Sequence, residues 1–294
     1  MTAKRLITTP TVVRTRGALA KQMQTLRADG APGRDATIAF VPTMGALHEG
    51  HQALIAHARE LADHVVVSIF VNPLQFFAGE DLDRYPRTWE HDLQVCTDEG
   101  VAAVFAPTAQ TMYPEGLLVG VSAGPMGDVL EGAYRPGHFD GVLTVVAKLF
   151  NLVHPDVAVF GEKDAQQLLL IRRMVRDLDI PVHVVAYPTV RDADGLARSS
   201  RNAYLSIHER EVALTLPRAL DAAQAAASRG AIAVLEAARS RIAAQPTIGV
   251  DYVALVDPST LREVDPKHSG AAVLLIAAHV GSTRLIDNRR IDIG

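Results

Sequence analysis

The amino-acid sequence predicts an α/β protein with a doubly wound, Rossmann-like parallel sheet, followed by a smaller C-terminal α+β domain. Strand-like and helix-like segments alternate through residues 1–189, which is the order that builds a parallel sheet. Residues 64–71 form a continuous apolar run, which is typical of a strand buried on both faces. After about residue 190 the chain becomes rich in alanine and then shows three short strand-like segments. We therefore expect two domains, at residues 1–189 and 190–294.

Apolar periodicity places the other elements of the first domain. Residues 37–41 are apolar and β-branched, and an amphipathic helix follows in which apolar residues recur at helical spacing. Residues 113–135 are rich in glycine and proline without periodicity, and a loop of this length is usually functional or mobile. The same reasoning predicts helices at residues 18–26, 88–99, 142–153 and from 166, and strands at 101–105, 157–160 and 182–185.

The second domain is expected to begin with helices. Ser206 and Glu209 have the spacing of a capping box at a helix N-terminus. Helical sequence then continues to about residue 245, with interruptions at Pro217 and Gly230. Three apolar segments predict the strands of a small sheet, at residues 251–256, 272–278 and 283–287.

The composition is that of an ordinary globular protein, and it excludes several classes. With 48% hydrophobic residues, 21% charged residues and a net charge of −4, the chain has no global attraction for nucleic acid or anionic membranes. Cys96 is the only cysteine, which excludes an intramolecular disulfide and a thiolate metal cluster. The first residues lack the apolar core of a signal peptide, and the longest apolar run, residues 271–280, is about half a membrane span. We expect a soluble cytoplasmic protein with no nucleic-acid or membrane partner.

A polyphosphate site is predicted at the turn between strand 37–41 and the helix that follows it. A proline and two glycines punctuate this turn, with His48 at the turn and His51 in the first helical turn. A helix N-terminus presents N–H groups and the positive end of the helix dipole to an anion. Residues three apart share a helix face, so both imidazoles would point at one ligand. A lone histidine pair is more often an ordinary surface feature, but the glycines and the strand–turn–helix context favour a site.

Polar residues follow two further strands and form a later loop. Asn72 and Gln75 come after the second buried run, and ligands of an open parallel sheet bind beyond the carboxyl ends of its strands. Lys163 and Asp164 follow the strand predicted at 157–160, where a lysine can counter a phosphate and an aspartate can accept ribose hydrogen bonds. The hydroxyls and guanidinium of Ser-Ser-Arg at residues 199–201 suit an oxyanion. Taken singly, each stretch also has a structural interpretation. Asn72 could be a turn former before proline, Lys163 and Asp164 could form a solvated charged turn, and residues 199–201 could be an ordinary polar loop.

Two common nucleotide-binding motifs are absent from the sequence. No Gly-x-Gly-x-x-Gly opens a helix, and no Walker A pattern occurs. Classical dehydrogenases and P-loop kinases are therefore excluded, which leaves nucleotide chemistry of another kind.

Six segments, found in order, give the chain a specific resemblance. They are PTMGALHEGH at residues 42–51, SIFVNPLQF at 68–76, EDLDRYPRT at 80–88, RPGHFDGV at 135–142, FGEKDAQQL at 160–168 and DGLARSSRNAYL at 194–205. On these segments the chain resembles the pantoate–β-alanine ligase (pantothenate synthetase) family over nearly its whole length. The His-x-Gly-His element alone would indicate only the wider nucleotidyltransferase superfamily, which it shares with class I aminoacyl-tRNA synthetases.

The resemblance implies a two-step ligation on a nucleotidyltransferase-type fold. ATP and pantoate would give pantoyl adenylate and pyrophosphate, and the amine of β-alanine would then displace AMP to give pantothenate. Mg²⁺ would share the phosphate charge, although the sequence assigns no metal ligand and no general base for β-alanine. The family is typically a homodimer through its N-terminal domain, and the resemblance implies the same here.

The resemblance also implies roles for individual residues. Charge stabilisation in the reaction would fall to His48, His51, Lys163, Ser199, Ser200 and Arg201. ATP would also contact Met44, Gly45, Gly161, Asp164 and Val190. Pantoate would contact Pro42, Met44, Asn72, Gln75, Phe76, Val142 and Gln167. Glu131 and Arg135, beside the long loop, are weaker candidates to face β-alanine.

Three residues depart from the family pattern. Arg198 replaces the usual apolar residue before Ser-Ser-Arg and adds a cation beside Arg201. Phe77 replaces a glycine, and Ala165 replaces an aromatic residue. None of these changes removes a candidate catalytic group, so the resemblance still predicts activity.

The sequence leaves three other functions open. Another adenylyl- or cytidylyltransferase of the superfamily would share His48 and His51 but would end at a nucleotide product. A metal hydrolase would use the same two histidines as ligands, although a third ligand is not evident and zinc normally needs three or four. The third is a non-catalytic nucleotide-binding relative, which Arg198 keeps open.

Overall fold

In the computed structural model, which describes residues 9–76 and 82–294, six parallel strands form one sheet. They are β1 (Thr11–Val13), β2 (Ile38–Thr43), β3 (His64–Ile69), β4 (Ala103–Phe105), β5 (Val157–Gly161) and β6 (His183–Tyr187), in the spatial order β1-β4-β3-β2-β5-β6. The chain extends the sheet in one direction from β2 and in the other from β5, so these neighbours form a topological switch point. Ligands of such sheets bind beyond the carboxyl ends of the strands at this point. The predicted doubly wound parallel sheet is confirmed.

Helices cover the sheet, so its strands are buried on both faces and consist largely of apolar residues. The helices of the described chain are α1 (Arg16–Ala28), α2 (Glu49–Leu61), α3 (Trp89–Asp98), α4 (Ala109–Met112), α5 (Glu131–Tyr134), α6 (His138–Val153), α7 (Ala165–Asp177), α8 (Ile207–Ala213), α9 (Thr215–Ala225) and α10 (Ala231–Ala243). Ile55 of α2 and Val95 of α3 share a buried cluster with Val41 of β2. Ile38 and Phe40, on the opposite face of β2, are also fully buried. Burial on both faces explains the continuous apolar runs in the sequence.

The described chain divides into two units, each discontinuous in sequence. The first unit holds the parallel sheet and contains the described residues up to 127, with 135–161 and 170–187. The second unit contains residues 128–134, 162–169 and 188–294. The two functional domains expected at 1–189 and 190–294 stay a prediction.

The second unit contains the predicted small sheet. Its strands β7 (Ile248–Val256), β8 (Gly270–Val280) and β9 (Thr283–Ile293) are antiparallel and lie in that order. Leu220 of α9, Val234 of α10 and Leu274 of β8 belong to one buried cluster. The three strands are confirmed, although β9 runs to Ile293, beyond the expected end at residue 287.

Local sequence signals set the helices of the second unit. Ser206 and Glu209 form the predicted capping box, with the Glu209 N–H donating to Ser206 Oγ at 3.2 Å. Pro217 lies in the first turn of α9, where its missing N–H removes no helical hydrogen bond. Gly230, with φ of +90°, precedes α10. The two predicted interruptions are therefore helix starts.

The segment expected to be an unpatterned loop contains short elements. Within residues 113–135 lie the 3₁₀ turn Gly124–Gly127 and helix α5. Each spans only four residues, which is too short to show a helical apolar period. Phe77, one of the departures from the family pattern, lies outside the described residues. Across the described ranges, no helix has both the length and the apolar character needed to cross a bilayer.

Candidate active site

The loop between β2 and α2 is shaped by positive backbone angles. Gly45 has φ of +89° and Ala46 has φ of +50°, so the chain reverses sharply before the helix. A Cβ atom added at Gly45 would lie 2.9 Å from Asp92 Oδ2 and 3.1 Å from Ile69 Cγ2. The loop therefore needs glycine both for its conformation and for the close approach of α3.

His48 and His51 form a reciprocal cap at the N-terminus of α2. The Gly50 N–H donates to His48 Nδ1 at 3.1 Å, and the His48 N–H donates to His51 Nδ1 at 3.3 Å. The ring centroids are 4.1 Å apart. Because Nδ1 is an acceptor in both rings, the neutral imidazoles carry their proton on Nε2, which is a donor suited to an anion. The sequence correctly placed His48 at the turn and His51 in the first helical turn.

A buried carboxylate of α3 holds the loop in front of these histidines. Asp92 is 1% exposed and accepts the N–H groups of Ala46 at 3.0 Å and Leu47 at 2.8 Å. It also accepts the Thr88 hydroxyl at 2.9 Å. Asp92 was not among the residues singled out in the sequence, although its spacing from the apolar Val95 and Cys96 places it on the apolar face of the helix.

The only cysteine also lies on this face of α3. Burial, together with the nearby Asp92 carboxylate, raises the pKa of Cys96 to about 12. The thiol therefore stays protonated at neutral pH and is not suited to act as a nucleophile.

The turn after β3 brings two amides to the β2 loop. Asn72 and Gln75 are both buried at the 3₁₀ turn Pro73–Gln75, and Asn72 Nδ2 donates to Gln75 Oε1 at 3.2 Å. Gln75 Nε2 lies 2.8 Å from Met44 Sδ, four residues before His48. The structure thus brings Gln75 against the loop that leads to His48, while the expectation that Asn72 and Gln75 lie beside His48 and His51 stays a prediction.

Helix α6 supports the turn that carries Gln75. A Cβ atom at Gly141 would lie 2.0 Å from Leu74 O, so only glycine permits this approach. His138 Nδ1 donates to Gln75 O at 2.8 Å, and its Nε2 is 3.0 Å from Arg135 Nη1. Arg135 therefore contacts His138, the residue that supports the Gln75 turn. Val142 is buried within α6, and Pro42 lies within β2.

Phe76, the other apolar candidate for pantoate, directly follows this turn. Its ring meets the Tyr85 ring edge-on, with centroids 6.0 Å apart.

In the second unit, β9 holds the turn that carries Lys163 and Asp164. Gly161 ends β5, and the 3₁₀ turn Glu162–Asp164 follows directly. Asn288 Nδ2 donates to Glu162 O at 2.9 Å and to Lys163 O at 2.8 Å. The backbone of the turn is therefore fixed by a side chain 125 residues later in the sequence.

The next helix, α7, begins with Ala165, the departure from an aromatic residue, and carries two glutamines with different environments. Gln166 is buried and bonded to the backbone of Val129 and Glu131, whereas Gln167 is partly exposed. Of the two glutamines, Gln166 therefore has a structural role in the second unit.

The Ser-Ser-Arg stretch follows a loop tied to β9. Arg191 donates to both carboxylate oxygens of Asp287, at 2.7 and 2.8 Å, and this bond raises the pKa of Arg191. The Arg198 N–H donates to Val190 O at 2.9 Å. Ser199 Oγ accepts the Arg201 N–H at 3.3 Å and caps the 3₁₀ turn Ser200–Tyr204. The three predicted residues thus occupy one capped turn.

Two residues that drew attention in the sequence have ionic partners in the second unit. Arg198 pairs with Asp192, which also accepts Arg210 Nη2 at 2.6 Å. Glu131, the weaker candidate for β-alanine, is buried and accepts from Arg284 Nη1 at 2.5 Å. The added cation of Arg198 is therefore balanced by a carboxylate beside it in the same loop.

Residues 9–76 and 82–294 contain no group of three or more histidine, cysteine, aspartate and glutamate side chains that could hold a metal ion. The metal-hydrolase hypothesis needed such a group around His48 and His51.

These features define a class of protein. A parallel sheet with a switch point at β2 and β5, and a histidine-capped helix after β2, is a Rossmann-like fold of the nucleotidyltransferase type. The fold is shared with the crystal structure of pantothenate synthetase from Thermus thermophilus, at a TM-score of 0.87 and 47% identity, covering 95% of this chain and 98% of that one.

The chain belongs to the pantoate–β-alanine ligase family. The model of that family matches residues 11–290. The pantothenate synthetase of Thermobifida fusca is 60% identical over 290 residues, covering 95% of both chains. That of Leifsonia xyli is 57% identical over 279 residues, covering 94% of this chain and 96% of the relative. The structure of a Francisella tularensis pantoate–β-alanine ligase complexed with β,γ-ATP and β-alanine matches at a TM-score of 0.77 and 31% identity, over 95% and 97% of the two chains.

Proposed function

We propose that the chain joins pantoate to β-alanine in an ATP-dependent reaction that forms pantothenate through pantoyl adenylate. The observation that carries the proposal is the reciprocal histidine cap of α2 in a member of the pantoate–β-alanine ligase family. Relatives named pantothenate synthetase, and the Francisella ligase complexed with β,γ-ATP and β-alanine, support these substrates.

In the first step, a carboxylate oxygen of pantoate attacks the α-phosphorus of ATP. A new P–O bond forms while the bond to the bridging oxygen breaks, and pyrophosphate leaves with the electron pair. Negative charge grows on the phosphoryl oxygens and on pyrophosphate, and Nε2–H groups of His48 and His51 would donate to these atoms. Because the cap already fixes both rings, little reorganisation is needed when the charge develops.

Other residues would hold the nucleotide. Lys163 and Arg201 supply positive charge, and the hydroxyls of Ser199 and Ser200 supply donors to phosphate oxygens. We assign the remaining ATP contacts to Met44, Gly45, Gly161, Asp164 and Val190. ATP would enter as its Mg²⁺ complex, in which phosphate oxygens and water are the usual ligands, and we assign no ligand from the chain.

Pantoate would be held by amide donors in an apolar setting. Gln75 Nε2 and Gln167 would donate to its hydroxyl and carboxylate oxygens, and Asn72 would hold Gln75. The apolar contacts are assigned to Pro42, Met44, Phe76 and Val142. An apolar surround strengthens these hydrogen bonds because it excludes competing water.

In the second step, the β-alanine nitrogen attacks the acyl carbon of the adenylate. The C–N bond forms, the C–O bond to AMP breaks, and the nitrogen loses a proton as the amide forms. We assign no general base, because holding the amine against the activated acyl carbon can supply much of the rate.

We also propose that the protein is a cytoplasmic homodimer. Leu118 and Val119, in the first unit, are 95% and 86% exposed, which is unusual for adjacent large apolar residues and fits a surface that a second copy covers. Sedimentation at micromolar concentrations should give a dimer mass, and Leu118→Lys/Val119→Lys should shift it toward the monomer. A monomer mass for the unmodified chain would overturn the dimer.

The function is tested by following pyrophosphate release with ATP, Mg²⁺ and pantoate, and then adding β-alanine. We expect slow or stoichiometric release without β-alanine and sustained turnover with it, giving AMP and an amide. Release that yields only a nucleotide product would instead indicate another adenylyltransferase. ATP binding without release would contradict the proposal. Arg198→Met, tested in parallel, should leave the KM for ATP within about threefold, since Asp192 already balances the charge of Arg198.

A further inference from the structure

Tyr113 contacts the candidate site from outside the segments that defined it in the sequence. It follows α4, is 9% exposed, and its hydroxyl lies 2.9 Å from Asn72 Oδ1. Burial raises the pKa of Tyr113 to about 12. The hydroxyl therefore keeps its proton at neutral pH and donates to Asn72.

This bond fixes which way the Asn72 amide faces. Asn72 Oδ1 also accepts the Leu74 N–H at 3.3 Å, while Nδ2 donates to Gln75 Oε1 at 3.2 Å and to Gly141 O at 3.1 Å. A flipped amide would set its NH₂ against the Leu74 N–H and its oxygen against the Gly141 carbonyl. Tyr113 and Leu74 together therefore hold Asn72 in one orientation.

The orientation of Asn72 in turn fixes Gln75. Because Gln75 Oε1 accepts from Asn72, the other arm of its amide, Nε2, is the one that reaches Met44 Sδ at 2.8 Å. A thioether sulfur is only a weak acceptor, so an oxygen of a bound ligand would take this donor in preference. Two successive hydrogen bonds thus connect the Tyr113 hydroxyl with the Gln75 amide, whose Nε2 is the arm that can turn to a ligand.

We infer that Tyr113 is a positioning residue for the acid substrate: through Asn72 it holds the Gln75 amide with Nε2 toward a pantoate oxygen. The inference rests on the proposed function, in which Gln75 binds pantoate. Without the Tyr113 hydroxyl, Asn72 loses the shorter of the two bonds to its Oδ1, and only the bonds to Leu74 and Gly141 oppose a state in which the Asn72 and Gln75 amides are both flipped. That flipped state would then be populated more often. Gln75 would then present Oε1 to pantoate, and two acceptor oxygens would face each other.

Tyr113→Phe removes one oxygen and keeps the ring, so it tests the inference directly. We expect the KM for pantoate to rise about tenfold, the size of one lost hydrogen bond, while the KM for ATP stays within about twofold. Tyr134→Phe is the matched control, because it also removes one hydroxyl bond, to Asp251 O at 2.5 Å in the second unit. Its KM for pantoate should not change.

A double variant separates positioning from a general structural role. Since the hydroxyl acts through Gln75, Tyr113→Phe should add nothing to the pantoate KM of Gln75→Ala. Additive effects, or equal increases in the KM for pantoate and ATP, would overturn the inference. An increase in Gln75→Ala without one in Tyr113→Phe would overturn it while leaving the proposed function intact. An unchanged pantoate KM in Gln75→Ala would overturn both the role of Gln75 and this inference.

A second substitution covers the case in which Tyr113→Phe does not fold. Asn72→Asp replaces the donor Nδ2 by an acceptor and sets it against Gln75 Oε1. We expect a larger rise in the pantoate KM than in Tyr113→Phe, again without a change in the KM for ATP. An unchanged pantoate KM in a folded Asn72→Asp variant would overturn the inference.

Discussion

The histidines of the α2 cap have a structural role, and the proposed function gives the same two residues a chemical one. His48 Nδ1 and His51 Nδ1 both accept backbone N–H groups at the helix start. A proton on either Nδ1 would place a donor against a donor, so the cap favours the neutral ring with its proton on Nε2. The two residues are therefore suited to donate hydrogen bonds to phosphate as neutral groups, while the charge comes from elsewhere.

Replacing His48 by asparagine should separate these two roles, because asparagine is also a good N-cap residue. We expect His48→Asn to keep the free energy of unfolding within about 0.5 kcal/mol while kcat for adenylate formation falls about 100-fold. His48→Ala should lose the same activity and also about 1 kcal/mol of stability. Urea unfolding and pyrophosphate release measure the two effects. Retained activity in His48→Asn would contradict the role of Nε2.

Asp92 is the second residue whose role lies in supporting others. Asp92→Asn replaces an acceptor oxygen by NH₂, so the N–H groups of Ala46 and Leu47 cannot both be satisfied. We expect a loss of about 1–3 kcal/mol in the free energy of unfolding, together with slower pyrophosphate release. Asp98→Asn, at an exposed position of the same helix, should stay within about 0.5 kcal/mol. Equal effects of the two substitutions would show that the contacts to the loop do not matter.

At the scale of elements, the sequence predicted the strands and the residues directly after them. Apolar runs reveal buried parallel strands, and ligands of such sheets bind beyond the carboxyl ends of the strands, so the sequence placed the candidates His48, Gln75 and Lys163 just after β2, β3 and β5. Contacts between distant segments could not be predicted. Nothing local in the sequence connects Asn288 with Lys163, or Tyr113 with Asn72.

Strand β9 shows how one element of the second unit supports several chain segments. Asp287 binds Arg191, and Asn288 binds the turn that carries Lys163. Further along the strand, Arg284 donates to Glu131, which lies 153 residues earlier and ties α5 to the small sheet. Helix α5, at the end of the segment expected to be an unpatterned loop, is therefore held by a bond that only the tertiary structure reveals.

The ion pair of Arg284 should matter more than other charges of β9. Arg284→Met would leave Glu131 and Asp251, both largely buried, without their counter-charge. We expect a loss of about 3–5 kcal/mol in the free energy of unfolding. Arg289→Met removes a pair on the same strand with an exposed partner, Asp221, and should cost about 1 kcal/mol or less. Urea unfolding gives the free energy of unfolding of both variants. Similar losses in the two would contradict this account.

At the scale of the whole molecule, composition only narrowed the class. The net charge predicted no global attraction to nucleic acid or membranes, and the single cysteine excluded an intramolecular disulfide and a thiolate metal cluster, but no number for the whole chain indicated a ligase. The assignment came from six short segments in a fixed order, and three of them, at residues 42–51, 68–76 and 160–168, cover the carboxyl ends of β2, β3 and β5, where ligands of such sheets bind. The packing between those segments tolerates many sequences and could not be predicted from this one alone.

The pH dependence of stability is also a property of the whole molecule, to which each carboxylate with a shifted pKa contributes. The Arg34 guanidinium, and then the Thr37 N–H and hydroxyl, hold the pKa of Asp63 well below its usual range. In the capping box, the Ser206 N–H and hydroxyl lower the pKa of Glu209. Below about pH 4 the unfolded chain binds protons at these sites that the folded chain does not, so stability falls as pH falls.

Asp63→Asn should therefore flatten the acid side of the stability curve. Above about pH 5 the stabilisation by the Asp63 carboxylate is fully present, so the variant should be less stable than the unmodified protein by a constant amount. As the pH falls from about 4 towards 2, only the unmodified protein loses this contribution, and the gap should narrow. Urea midpoints at pH 7, 5, 4 and 3 measure the gap, with Asp98→Asn as the exposed control. If the gap stayed constant down to pH 3, the bonds from Arg34 and Thr37 would not be favouring the charged carboxylate, and the acid sensitivity of the molecule would have to arise at other carboxylates.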